Sequence, residues 1–158
     1  MPRKASADDV PAINALISYW ATEGEVLPRS AAEIAKHLTD FVVEDEDGRV
    51  VGVASLAAYG PDLAEIRSVC VDKDYQSRGV GKRIVTAEIE EAGRRGIGKV
   101  FVLTRKPDYF LKFGFATGPV IEQKIYRDCV TCPKYGNGCD EIYMEKSLTK
   151  QASAASPR

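Results

Sequence analysis

Several absences narrow what this 158-residue chain does. It has no basic surplus: 22 Lys and Arg stand against 23 Asp and Glu, which argues against DNA or RNA as the main ligand. No apolar run approaches the roughly 18 residues needed to span a bilayer, so no membrane partner is expected. The start, Met1-Pro-Arg-Lys-Ala-Ser6, runs straight into Asp8 and Asp9 without an apolar stretch and is not read as a secretory signal. Four cysteines are too few and too unevenly placed for a disulfide-stapled secreted domain, which makes a reduced cytoplasm the expected compartment. Cys129, Cys132 and Cys139, flanked by Asp128, Asp140 and Glu141, invite a zinc reading. A second Cys-x-x-Cys or a histidine ligand is missing, and the sole histidine, His37, lies far along the chain, so no metal is expected.

What is present suits one domain: 44% hydrophobic and 28% charged residues, with no internal repeat. Ser6 and Asp9 resemble a capping box, and Val10, Ile13, Leu16, Ile17 and Trp20 follow helical spacing, which predicts a helix over 7–22. Ser30 is a good N-cap for a second helix with Ile34, Leu38 and Phe41 as its buried stripe. Phe41–Glu44 and Arg49–Leu56 read as a hairpin across the acidic turn Asp45–Gly48. Glu65–Val71 reads as a strand with Glu65, Arg67, Val69 and Val71 on one side and Ile66, Ser68 and Cys70 on the other. A helix follows from Val80 to about Arg94, ended by Gly96 and Gly98, then a strand over Lys99–Thr104 and a short helix from Pro107 to Lys112. Phe113-Gly-Phe opens another extended segment, a cysteine-bearing loop takes 127–140, and Glu141–Lys146 is a last strand with Ile142 and Met144 inward. Residues 149–158 form a small, polar tail expected to be disordered. The fold class is α/β with a mixed sheet.

The informative stretch is Gln76-Ser77-Arg78-Gly79-Val80-Gly81-Lys82, between a strand and a long helix. Such a turn aims successive main-chain N–H groups and the positive end of the helix dipole at one point, and glycines let an anion approach. Arg78, Lys82 and Arg83 add charge, so a pyrophosphate is the natural guest. The Walker pattern is absent, and the dinucleotide fingerprint would need glycine where Ile84 stands.

Gln76-Ser-Arg-Gly79-Val-Gly81 matches the Arg/Gln-x-x-Gly-x-Gly/Ala block of the GNAT N-acetyltransferase superfamily, and Phe113-Gly114-Phe115 resembles its Gly-Phe block. The resemblance covers residues 1–148 and is nearest to amino-acid N-acetyltransferases of the N-acetylglutamate synthase type. The resembling pieces are Leu27-Pro-Arg29-Ser30-x-x-Glu33-Ile, Glu65 to Gln76, Val100 to Thr104 and Lys124 to Lys134. It implies a single-domain α/β fold with a mostly antiparallel central sheet flanked by helices, and acetyl-CoA as co-substrate. Main-chain groups of Val69, Cys70 and Val71 would hold the pantetheine arm and the thioester oxygen, and the amides from Gln76 to Lys82 the diphosphate. Phe110 occupies the position at which many relatives carry a tyrosine that reprotonates the thiolate, leaving Thr104 or water for that step.

The same resemblance implies transfer of an acetyl group to the α-amino group of an amino acid, L-glutamate first, in arginine biosynthesis. An α-amine titrates near 8 in model peptides, so only a modest base is wanted, and Glu65 is the candidate. Arg29, Ser30, Arg67 and Lys124 are the candidates to bind the dicarboxylic acceptor. Two alternatives stay open: a GNAT enzyme acting on another amine or amino acid, and a catalytically silent acetyl-CoA-sensing module. Sheet edges and the cysteine loop are surfaces on which two copies could pair.

Overall fold

Asp47 and Gly48 both take left-handed backbone, φ 55° and 77°, as a two-residue type I′ turn requires. Phe41–Glu46 (β2) therefore folds back on Arg49–Ala58 (β3), with Glu46 opposite Arg49. The structure is a computed structural model that describes residues 1–122, 124, 129, 132 and 139–148. The tail and most of the cysteine-bearing loop expected from the sequence lie outside the described residues.

Local chemistry accounts for the first helices. Asp9 Oδ2 accepts the Ser6 N–H at 2.7 Å, closing a 3₁₀ turn at Ala7–Asp9 that leads into Val10–Thr22 (α1). Ser30 caps Ala31–Lys36 (α2): its hydroxyl accepts the Glu33 N–H at 3.1 Å, and Glu33 Oε1 accepts the Ser30 N–H at 3.3 Å. Of the expected stripe, Ile34 is buried in α2 and Phe41 in β2, while Leu38 is half-buried in a 3₁₀ turn. Pro2–Lys4 (β1) adds a strand that short-range pattern does not signal. It pairs antiparallel with β2, and Ala5 N–H donates to Phe41 C=O at 3.0 Å.

The second half is a strand–helix–strand unit. Leu63–Val71 (β4) leads through the glycine turn into Val80–Arg94 (α3), which ends in a Schellman motif. There Gly96 stands at φ 74°, Ile97 N–H reaches Ala92 C=O and Gly96 N–H reaches Gly93 C=O, both at 3.0 Å. Lys99–Thr104 (β5) returns parallel to β4, and Pro107 opens Pro107–Leu111 (α4) at its first position. The extended segment expected from Phe113 begins at Ala116–Thr117 (β6) instead, because Phe113 N–H closes a turn onto Phe110 C=O. Ile142–Ser147 (β7) is the last strand. Met144 is fully buried in it, but Ile142, at its first position, is 39% exposed, and Tyr143 is buried in its place.

Among the described residues the seven strands form one sheet, ordered β1-β2-β3-β4-β5-β7-β6 and antiparallel except at β4–β5. On one face Ile13, Leu16, Ile17 and Ile34 pack on Phe41, Val43, Val53 and Cys70. On the other, Val80, Ile84 and Val85 of α3 cover Val42, Val51, Ala54, Leu56 and Ile66. No helix among the described residues is long and apolar enough to cross a membrane.

Candidate active site

The parallel pairing of β4 with β5 is brief, from Leu63↔Lys99 to Glu65↔Phe101. Beyond it the strands part: β4 stays with β3 as far as Val71, while β5 stays with β7 as far as Thr104. The gap opens into a cleft of about 630 Å³ lined by Glu65 to Val71 and by Val102 to Lys106. A strand edge left without a neighbour presents main-chain donors and acceptors, which an extended ligand can satisfy as an added strand. Asp72 N–H donates to Val51 C=O on β3, so alternation turns the main chain of Cys70 toward β3 and that of Val69 and Val71 toward the cleft. Val71 offers only its N–H there, because its carbonyl accepts Trp20 Nε1–H at 2.9 Å and Gln76 Nε2–H at 3.3 Å.

The glycine turn sits at one end of this cleft. Ser77 (φ 64°) and Gly79 (φ 82°) are left-handed, and Gly79 caps α3. Among the described residues nothing accepts from the N–H groups of Gln76 to Lys82, and those of Val80 to Lys82 belong to the first helical turn, where no intrahelical partner exists. A Cβ on Gly81 would stand 2.6 Å from the Tyr109 hydroxyl. Two of the expected rim charges point elsewhere. Arg78 stacks on the Tyr75 ring at 4.9 Å and faces Glu46 at 3.8 Å, and unlike its neighbours in the turn it is not part of the cleft lining. Arg83 donates to buried Glu44 at 3.0 Å. Lys82 does line the cleft.

Strict alternation along β4 is broken. Ser55 pairs with Arg67 but Val53 with Cys70, so Ser68 and Val69 together face one residue of β3, and Ser68 takes φ 57°. This β-bulge flips the pattern. Ala64 and Ile66 pack toward α3 before it, Val69 and Val71 toward α3 after it, and Cys70 toward α1. The expectation that Glu65 and Arg67 share a face with Val69 is therefore overturned: they stand on the α1–α2 side. All still line one cleft because the sheet is open at that point.

Glu65 is 4% exposed and Lys124 6%. Glu65 Oε1 accepts from Lys124 Nζ at 2.9 Å and from the Tyr59 hydroxyl at 3.0 Å, with Arg67 Nη1 at 3.6 Å. Lys124 thus serves the carboxylate of Glu65 and the Tyr59 oxygen, at 3.3 Å. Arg29, in the α1–α2 loop, has its Nε buried without a hydrogen-bond partner among the described residues, while Nη1 lies 3.5 Å from Glu33. Arg29, Arg67 and Ser68 line both the main cleft and an adjoining cavity of about 250 Å³ on the α2 side. Ser30 lines neither; its hydroxyl is spent on the helix cap.

Thr104 lines the cleft with its hydroxyl oxygen accepting Lys106 N–H at 2.8 Å. Phe110 is a core residue, packed with Phe115, Val102 and Met144, that touches the cleft wall. Tyr109, one position earlier, is the residue whose hydroxyl reaches the cleft, and burial raises its pKa above the ordinary value of 10. Sequence reasoning missed Tyr59, Trp20 and Tyr109 as site residues. Only the helical offset between 109 and 110 signals Tyr109, and nothing local signals Tyr59. Cys129, Cys132 and Cys139 also line the cleft, and among the described residues no three His, Cys, Asp or Glu side chains gather as a metal site.

An open strand edge, a turn of unspent amides and a helix N-terminus in one cleft suit a coenzyme A thioester: an extended amide-bearing arm, then a diphosphate. Residues 12–115 match the model of the acetyltransferase (GNAT) family. An uncharacterized N-acetyltransferase of Chlorobaculum tepidum is 38% identical over 148 residues, 92% of this chain and 95% of that one. An amino-acid acetyltransferase of Mycobacterium tuberculosis is 31% identical over 154 residues, 94% of this chain and 86% of that one. The crystal structure of N-acetylglutamate synthase from Neisseria gonorrhoeae, complexed with coenzyme A and N-acetyl-glutamate, superposes with a TM-score of 0.82 at 28% identity, covering 94% of this chain and 35% of that one. The chain thus belongs to the acetyltransferase (GNAT) family and is an acetyl-CoA-dependent N-acetyltransferase.

Proposed function

We propose that the enzyme transfers the acetyl group of acetyl-CoA to the α-amino group of an amino acid, L-glutamate first, as an N-acetylglutamate synthase serving arginine biosynthesis in the cytoplasm. The observation that carries the acceptor is Arg29, whose Nε is buried, lines the cleft and lacks a partner among the described residues. A buried guanidinium N–H without an acceptor is costly, and a carboxylate satisfies it. Arg67 lies across the same cavity. Seven Lys and Arg side chains line the cleft against three Glu, which favours an anionic acceptor over a polyamine. The Mycobacterium tuberculosis and Neisseria gonorrhoeae relatives support the same class.

When bound, acetyl-CoA supplies the acetyl group as a thioester. The amides of Gln76 to Lys82 hold its diphosphate, and the N–H groups of Val69 and Val71 align its arm along β4, with Val69 meeting the thioester oxygen. Glu65, on the acceptor side of β4, takes the amine proton through a water, while Lys124, Tyr59 and Arg67 hold its carboxylate in place. Tyr109, whose hydroxyl reaches the cleft and whose phenol is a stronger acid than an aliphatic hydroxyl, is better suited than Thr104 to reprotonate the thiolate.

Thioester consumption measured against a panel of amino acids and amines tests the acceptor. Arg29→Ala should raise KM for glutamate by about tenfold or more and leave KM for acetyl-CoA unchanged. An unchanged KM for glutamate removes the assignment.

A further inference from the structure

The acidic run Glu44 to Asp47 takes no part in the chemistry, yet three of its side chains grip the segment that carries the glycine turn. Asp47 Oδ2 accepts the Tyr75 hydroxyl at 3.1 Å, Glu46 stands 3.8 Å from Arg78, and Glu44 takes Arg83. The first two contacts are exposed and worth little. The third is different in kind. Glu44 is 3% exposed, and both of its oxygens accept from the Arg83 fork, at 2.5 to 3.1 Å.

The guanidinium fixed in this way also serves the turn. Arg83 Nη1 donates to Arg78 C=O at 3.2 Å and lies 3.0 Å from where a Cβ on Gly79 would stand. The peptide joining Arg78 to Gly79 is trans, so its N–H points opposite to its carbonyl. Fixing the carbonyl on Arg83 therefore turns the Gly79 N–H away from Arg83. Gly79 lines the cleft and Arg83 does not.

We propose that Arg83, held by Glu44, is a positioning residue that aims the Gly79 amide at the coenzyme's diphosphate. It acts from behind the turn, through the Arg78 carbonyl, and makes no phosphate contact of its own. The role rests on the reading that the turn amides receive the diphosphate. Lysine at position 83 would keep the charge beside Glu44, but one ammonium cannot present a fork to the carboxylate and reach Arg78 at once. A purely electrostatic role predicts the opposite sign at Glu44. Deleting a negative charge beside an anion site should tighten binding, whereas loosening the tether should weaken it.

Coenzyme A and pantetheine, which lacks the diphosphate, are titrated into the full-length enzyme. The signal is the fluorescence of Trp20, the chain's only tryptophan and a cleft residue. Arg83→Lys and Glu44→Leu should each raise Kd for coenzyme A by about tenfold, the worth of one charge-assisted hydrogen bond, and leave Kd for pantetheine unchanged. Glu46→Gln deletes an equal charge two residues along β2 but breaks only an exposed contact, so it should match the wild type for both ligands. Unchanged or tighter coenzyme A binding in Arg83→Lys or Glu44→Leu overturns the positioning role. So does equal weakening of both ligands, which marks general damage to the fold. A wild type that binds pantetheine as tightly as coenzyme A overturns the diphosphate reading instead, and the positioning role falls with it.

Discussion

Lys124 Nζ lies 2.9 Å from Glu65 Oε1, with the two side chains only 8% and 5% exposed, so a residue from the far side of the sequence neutralises a carboxylate at the mouth of the β4–β5 split. Removing one partner of a buried pair costs more than replacing both. Lys124→Met should lower unfolding stability by about 3 kcal/mol, and adding Glu65→Gln should recover most of that. Urea unfolding at neutral pH measures both. Additive losses would show that the two groups are not coupled.

Gly81 and Tyr109 make the second prediction. A Cβ at position 81 meets the Tyr109 hydroxyl at 2.6 Å, so Gly81→Ala must displace either that ring or the turn whose amides face the cleft. KM for acetyl-CoA should rise about tenfold, and Tyr109→Phe in the same background should restore it, because the opposing oxygen is gone. The restored binding should come with a low kcat if Tyr109 supplies the proton. No recovery of KM in the double variant contradicts the steric account.

Glu88 is a charged residue type in the wrong solvent. It is fully buried on α3, both carboxylate oxygens lack a hydrogen-bond partner among the described residues, and desolvation raises its pKa from 4.5 to about 8. Lys4 and Arg95 oppose that rise, while Glu91 and Asp40 add to it. The folded protein keeps the proton over a range in which the unfolded chain has lost it. Its contribution to stability is thus full below pH 4.5 and declines by about 1.4 kcal/mol per unit up to about pH 8, then levels off. Glu88→Met should flatten that slope and raise the melting temperature at pH 8. A slope that survives the substitution belongs to another group.

Much of this molecule is legible from short-range pattern. Asp47-Gly48 announces the hairpin, Ser30 with Glu33 the second helix, and Gly79 and Gly81, on either side of Val80, the turn into α3. What escapes is set by contacts far apart in sequence. Ser68 has no local reason to adopt φ 57°; the bulge appears only once β3 and β4 are in register, and it moves Glu65 and Arg67 to the opposite face from Val69. Arg83 reads as a phosphate ligand until Glu44 of the neighbouring hairpin claims it. Lys124 meets Glu65 across 59 residues of chain and Tyr59 across 65, and β1 exists only because β2 has a free edge.

The central claim is that the main-chain amides from Gln76 to Lys82 receive the coenzyme's diphosphate, and amide chemical shifts of isotope-labelled enzyme test it most directly. Titration with coenzyme A should move the resonances of these residues, with Gly79 and Gly81 among the largest shifts, whereas pantetheine, which lacks the diphosphate, should move Val69 and Val71 and leave the turn in place. Saturable coenzyme A binding with the turn unmoved would contradict the account.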